Sequence, residues 1–408
     1  AAGVVVVASA GNSGAGVDTV GYPGKYPSVI AVGSTTSTNA LSSFSSTGPA
    51  VDLAAPGSDI YSTLVGGGVG YMSGTSMASP HVAGAVALLL EARPRLAVPQ
   101  VRALLQNSSD PRPWGVNPGL GFLDNVHRQG AGLLDIDDTI LATTRIEPGK
   151  LSLGEGQDGP RTVTLTVRNE GPSAVTYNLS AVQAASTGSA NGNGTLTASF
   201  VTSDATVVFG APSVTVPAGG SATVSATITP ATEPLRGQYG GYLVFTPTGP
   251  GQPLRVPFAG FIGDYQTIQV LRPTANNFPW LAKAVGTSYI NQPAGATFTL
   301  AGDDIPYFLV RLEHYSRRLR LEVQDAVTGR NWHRVFPDEQ YVTRNTSNSG
   351  FFALTWDGFT VLPSGSRLVT VPNGQYVVKM SVLKALGDEA NPAHWETWTS
   401  PVITLARP

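Results

Sequence analysis

The chain has 408 residues, 41% of them hydrophobic and 13% charged, with a formal net charge of −2 and no cysteine. That length suggests two or three domains, and the composition is that of a globular chain with real cores rather than a disordered one. The near-neutral charge gives no field for nucleic acid or an anionic membrane surface; the lack of Cys excludes disulfides, thiolate zinc sites and cysteine nucleophiles; no apolar run reaches the ~20 residues of a membrane span.

The chain opens Ala1-Ala2-Gly3, without Met and without a charged and apolar leader. Val4-Val5-Val6-Val7-Ala8 is a continuous β-branched run, read as a buried parallel strand that ends at Gly11. Ligands in open α/β sheets bind at the carboxyl ends of strands, where Asn12 would sit, although Asn12-Ser13-Gly14 also reads as a plain turn. A turn and buried strand follow over Gly21–Gly33, and Phe44–Pro49 and Val51–Gly57 each read as a strand closed by Pro or Gly.

Gly74-Thr75-Ser76-Met77-Ala78-Ser79-Pro80-His81-Val82-Ala83-Gly84 then leads through one serine into an apolar run. A helix start leaves N–H groups unpaired and carries roughly half a positive charge, so an oxyanion formed beside Ser76 would be stabilised there. Gly-Thr-Ser alone reads first as an ordinary capped helix. Pro80 is tolerated in the first turn, and Val82–Leu90, apolar throughout, predicts a helix buried on all sides. Arg93-Pro94 stops it, Val98-Pro99-Gln100 opens a second helix with Val101, Leu104 and Leu105 on one face, and a third short helix is expected from about Leu134 to Ala142.

The eleven residues Gly74–Gly84 resemble the nucleophile motif of the subtilisin-like serine proteases, the subtilases. The strand before Asn12, the Gly21–Gly33 stretch and Val51–Gly57 are similar to the same family, so the resemblance covers residues 1–142. That is about the C-terminal half of a subtilase catalytic domain. It implies a partial α/β domain built on a parallel sheet, with Ser76 as nucleophile and Asn12 as oxyanion donor. Ala8, Ser9, Ala10, Gly11 and the turn before Gly21, with Gly74 and Thr75, would form the substrate-binding walls.

No cofactor is implied, but Asp52, with carbonyls near Gly24, Tyr26 and Val29, matches part of a weak calcium or sodium site. Asp52 reads as well as a turn or surface carboxylate. Subtilases order their triad Asp, His, Ser, and none of His81, His127, His314, His333 or His394 lies in such a His motif. His81, five positions after Ser76, would point about 140° away on a helix, as a packing residue. Both partners are therefore expected upstream of Ala1.

From Arg145 the pattern alternates with period two, as in Thr162–Val167, Val214–Val216 and Ala222–Ile228, separated by turn clusters such as Asn169-Glu170-Gly171-Pro172. This predicts a sandwich of about seven strands over 143–262, which resembles the fibronectin-III-like domains that follow some secreted subtilases. Asn191–Gly194 is expected to be a mobile loop. A second all-β domain, immunoglobulin-like by weaker resemblance, is expected over 263–408, with strands at Phe308–Leu312, Leu319–Val323 and Tyr376–Met380. Trp280, Trp332, Trp356, Trp395 and Trp398 could form a sugar-stacking platform, but core or inter-sheet packing is the favoured reading. The sequons at Asn107, Asn178, Asn193 and Asn345 are at chance frequency.

The leading functional expectation is the C-terminal portion of a secreted, extracellular subtilisin-like endopeptidase that cleaves peptide bonds through an acyl-enzyme on Ser76. Its partners would be peptide substrates, the N-terminal half of the protease domain, and a surface or polymer ligand of the β domains. The alternative is a non-catalytic adhesion module with a vestigial protease-like part.

Overall fold

A computed structural model describes residues 3–15, 19–187, 202–345, 349–362 and 368–408. The expected loop at Asn191–Gly194, with the sequon at Asn193, lies outside the described residues. The chain divides into two compact units, Ala1–Asp264 and Tyr265–Pro408. No helix among the described residues is long and apolar enough to cross a membrane.

The first unit begins with a three-stranded parallel sheet: β1 (Val6–Ser9), β2 (Val29–Thr35) and β3 (Val51–Pro56), in that order. Val and Ala dominate β2 and β3, and both are buried along nearly their whole length. β1 is less enclosed than its sequence predicts. It pairs with β2 alone among the described residues, and Val4 and Val6 are 66% and 46% exposed. The expected strand at Phe44–Pro49 does not form. Its backbone is tied instead by single crosslinks, Ser46 N–H to the Gly11 carbonyl and Thr47 N–H to Thr19 Oγ1. A hairpin that the sequence did not reveal, β4 (Ile60–Thr63) with β5 (Val69–Met72), follows β3.

Helix α1 (Thr75–Ala92) lies on the sheet through Ala78, Val82, Val86 and Leu89, which meet Ile30, Val32, Leu53 and Ala55. Each of the larger side chains contributes on the order of 1.5–3 kcal/mol by leaving water. The helix is not buried on all sides as expected: Ala83, Gly84, Ala87 and Leu88 face outward, Leu88 being 52% exposed. One three-stranded sheet covers one side of a helix, and apolar composition alone does not say how many sides have partners. α2 (Val98–Ser108) buries Val101, Leu104 and Leu105 as its spacing predicts. The short α3 (Val126–Gln129) and α4 (Ile136–Leu141) follow. Between them Gly130 sits at φ +59, where a Cβ would come within 2.4 Å of the Asp52 carbonyl; glycine lets this loop lie flat on β3.

The remaining part of the unit is a β-sandwich. One sheet has the order β10 (Thr206–Phe209), β12 (Ser221–Thr229), β8 (Arg161–Asn169), β6 (Thr144–Glu147). The other runs β11 (Ser213–Val216), β9 (Val175–Gln183), β13 (Gln238–Pro247), β14 (Leu254–Phe261), β7 (Leu151–Glu155). Two strands exceed the expected count, β6 and β7, which flank Pro148-Gly149. Leu165, Val167, Val224, Ile228, Phe245, Val256 and Phe258 interdigitate between the sheets. The sandwich and the α/β layer share hydrogen bonds: Asn107 accepts from Ile146 N–H (2.7 Å) and donates to the Arg255 carbonyl (3.1 Å), and Tyr242 donates to the Gly130 carbonyl (2.9 Å). Asn107 is 1% exposed, so its sequon is structural.

The second unit holds a four-stranded and a nine-stranded sheet around Leu281, Phe298, Phe308, Leu321, Trp356, Tyr376 and Met380. The expected strands appear as Tyr307–Val310, Ser316–Asp325 and Gly374–Lys384. Its tryptophans do not assemble into one platform. Trp356 is fully buried, Trp332 and Trp398 pack against the core, and Trp395 lies under Arg320.

Candidate active site

Ser76 is the second residue of α1, and strand ends prepare that helix start. Gly74, the cap, donates its N–H to the Gly57 carbonyl just past β3 (2.8 Å), which hangs the helix from the carboxyl end of the sheet. Met77 and Ala78 N–H groups both return to the Gly74 carbonyl, at 2.9 and 3.4 Å. Ser76 is exposed, and neither its N–H nor its Oγ has a hydrogen-bond partner among the described residues. The site thus sets a serine hydroxyl and a backbone donor side by side at the positive end of a helix buried on one side.

Asn12 follows the carboxyl end of β1 and is held in one orientation. Its Oδ1 accepts from both Thr75 N–H and Thr75 Oγ1, each at 2.9 Å, and Thr75 Oγ1 accepts from Gly11 N–H at 3.1 Å. Thr75 is completely buried, so this lock is shielded from water. With the carbonyl end of the carboxamide committed to Thr75, the amide end faces the other way. A Cβ built on Gly74 would lie 3.2 Å from Asn12 Nδ2, and that nitrogen has no partner among the described residues. Gly11 is at φ +109, and a Cβ there would press to 2.9 Å of Ser46 Oγ, so glycine is needed for the chain to turn from β1 into Asn12. Two free donors therefore stand at a serine, an arrangement that can hold a developing oxyanion.

Of the expected substrate-binding residues, Ala8 and Ala10 are buried and Ser9 and Gly11 half-buried. Gly21 donates to the Ala10 carbonyl (2.9 Å), which brings the two expected walls together, and a Cβ on Gly21 would meet nothing within 4 Å. A cavity of about 430 Å³ lies on another side of Ser76, lined by Ile60, Leu64, Met72, Met77, Pro80 and His81 among others. The sequence reading missed this wall. The Gly66-Gly67-Gly68 turn, all three at positive φ, was the available signal for its hairpin.

Neither His81 nor His127, the histidines of the first unit, is placed as a base for Ser76. His81 is exposed rather than a packing residue, and its Nδ1 is engaged with the Met77 carbonyl at 2.8 Å. His127 lies at the junction with the sandwich. Burial holds its imidazole down to about 4, a hydrogen bond with Gln238 works in the opposite direction, and the nearby Lys150 charge adds to the lowering. His314 is 4% exposed and stands edge-on to Tyr265 in the second unit.

With Lys150 in place, both carboxylate oxygens of Asp52 are taken by protein donors. Asp52 is 2% exposed, not a surface carboxylate. Its Oδ2 accepts from Ala31 N–H (3.0 Å), and its Oδ1 from Gln106 Nε2 (3.0 Å) and Lys150 Nζ (2.9 Å). The Val29 carbonyl, expected on the same cation, instead accepts from Arg102 (2.7 Å). Protein donors and protein cations fill the places where an ion would bind, so the residues do not fit the expected calcium or sodium. Asp135, Asp137 and Asp138 do bring carboxylates within 4.8 Å of one another. Burial, with its acidic neighbours, raises Asp135 to about 6. Asp135 already caps α4 by accepting from Asp138 N–H (3.0 Å).

Comparison with known proteins divides the first unit in two. Residues 1–132 match the model of the Subtilase family, and residues 151–259 match that of an Fn3-like domain. Subtilisin E of Bacillus subtilis (strain 168) is 46% identical over 136 residues, 33% of this chain and 33% of that protein. Subtilisin of Bacillus pumilus is 52% identical over 136 residues, 33% of this chain and 46% of its own length. Alkaline elastase YaB of Bacillus sp. (strain YaB) is 45% identical over 137 residues, 34% of this chain and 33% of that protein. The chain thus spans about a third to a half of the length of these curated relatives.

Proposed function

We propose that the chain, whose residues 1–132 match the Subtilase family model, carries the nucleophile and oxyanion half of a secreted serine endopeptidase. In this reading Ser76 Oγ attacks the scissile carbonyl carbon while its proton passes to a base. The new oxyanion takes hydrogen bonds from Asn12 Nδ2 and Ser76 N–H. Collapse expels the amine, which takes the proton, and leaves an acyl group on Ser76 that water then hydrolyses. The base and the carboxylate that orients it come from residues outside 1–408, consistent with a Ser76 Oγ that touches no histidine among the described residues.

The observation that carries the reading is the Asn12–Thr75 lock. A carboxamide whose oxygen accepts two hydrogen bonds from the residue before the nucleophile can only present its N–H₂ to the reaction. The test is activity of the pure 408-residue chain on casein or a peptide. We expect no turnover, because an oxyanion hole without a base leaves a serine a poor nucleophile. Turnover abolished by Ser76→Ala would place the base within these residues and overturn this assignment.

A further inference from the structure

The junction between the α/β layer and the sandwich contains an oxygen cage closed by Lys150, which lies between the two matched segments, 1–132 and 151–259. Lys150, in the turn between β6 and β7, directs its ammonium away from the sandwich into the base of β3. Nζ donates to the Pro49 carbonyl (3.0 Å), the Val51 carbonyl (3.1 Å) and Asp52 Oδ1 (2.9 Å). An ammonium has three N–H donors, and here each has one oxygen at ordinary hydrogen-bond length. Two main-chain carbonyls and a carboxylate are also the ligand set that a hard monovalent cation takes.

The turn is shaped for this reach. A Cβ on Gly149 would lie 2.6 Å from Gln106 Oε1 and 3.0 Å from Ala103 Cα, so only glycine lets the segment lie flush on α2 and send the next side chain past it. The Asp52 side chain is 3% exposed and that of Lys150 26%, and Arg102 stands 3.9 Å from the other carboxylate oxygen. A buried carboxylate left with a single, more distant cation would be costly, so the Lys150 contact is what completes its neutralisation.

We propose that Pro49, Val51 and Asp52 form a monovalent-cation site that Lys150, from the turn between β6 and β7 of the sandwich, fills with its tethered ammonium. The site makes the α/β layer depend on the sandwich for its charge balance and removes any need for a free ion there. This stands apart from the proposed catalysis, since it concerns the opposite end of β3 from Ser76, and its test reads stability alone.

The experiment is thermal unfolding of the 408-residue chain at fixed ionic strength, with choline chloride exchanged stepwise for potassium or methylammonium chloride. The wild type is expected to be indifferent to the exchange. Lys150→Ala, which empties the cage, should lose roughly 5–10 °C in choline and regain most of it, saturably, in potassium or methylammonium. An unchanged Tm in Lys150→Ala, a loss that neither ion restores, or a wild type that responds as much as the variant would each overturn the proposal. Should Lys150→Ala fail to fold, the double variant Asp52→Asn, Lys150→Met, which removes both charges, is expected to fold without any response to the ions. If it also fails, charge balance is not the role of the pair.

Discussion

The α/β layer and the sandwich of the first unit differ in what they leave open. The sandwich closes on itself: β8 and β12 pair along eight consecutive positions, and Leu165, Val167, Val224 and Ile228 point into a shared core. Among the described residues the α/β layer ends at β1 on one side, exposes Leu88 on the outer face of α1, and leaves Ser76 N–H, Ser76 Oγ and Asn12 Nδ2 without partners. The same chain satisfies the polar groups of Asp52 and Asn107 thoroughly and leaves the donors beside Ser76 open. Free donors are tolerated where they are wet and are useful where a charge must develop during a reaction.

The comparison can be broken most severely by hydrogen exchange. Amides of Val6–Ser9, on an edge, should exchange at least ~10²-fold faster than those of Leu165–Val167 in the 408-residue chain. Equal protection would mean that the layer opens only when the sandwich does, and the contrast would disappear.

A smaller effect is expected at the junction. Folded His127 stays neutral down to about 4, whereas in the unfolded chain it takes up a proton near 6.5. Its contribution is therefore fully present above that upper value and is lost as pH falls through the interval, by up to about 3 kcal/mol. Urea midpoints at pH 7 and pH 4.5 measure it, and His127→Gln should flatten the difference. An equal acid loss in that variant would assign the sensitivity to other groups.

The smallest effect lies on the open side. By resemblance, the walls at Ala8–Gly11 and before Gly21 carry no charge and favour a large apolar residue before the cut, such as Phe, Tyr, Leu or Met. Since a Cβ on Gly21 meets nothing within 4 Å, Gly21→Val should fill space without disturbing the fold. In the active enzyme the preference for Phe over Ala should fall roughly tenfold. A peptide panel varied only at that residue decides it, and a strong preference for Lys or Arg would contradict the uncharged wall.

Legibility in the sequence followed the range of the interactions. α2 could be read because Val101, Leu104 and Leu105 recur at helical spacing, and β8 and β12 because half-buried strands alternate. The positions of Ser76 at a helix start and Asn12 past a strand end could be read from local features, an apolar run after a small-residue turn and a β-branched run closed by glycine, while the roles proposed for them rest on the resemblance. What could not be read depends on partners far along the chain. Lys150 lies 98 positions from Asp52, so a carboxylate that matches part of an ion site gave no sign of its ammonium. The burial of α1 was overestimated because an apolar run reports what a helix could bury and not what is there to cover it. The Phe44–Pro49 strand failed because Ser45, Ser46 and Thr47 answer to Ser34, Gly11 and Thr19 one bond at a time, which no periodicity encodes.

The central claim is that Asn12 Nδ2 is aimed at the charge that develops beside Ser76. Steady-state kinetics of Asn12→Leu in the active enzyme test it most directly. The account predicts a kcat lower by about 10²–10³ with KM within a few-fold of the wild type, since the donor acts on the transition state and not on bound substrate. A kcat that does not change would contradict it.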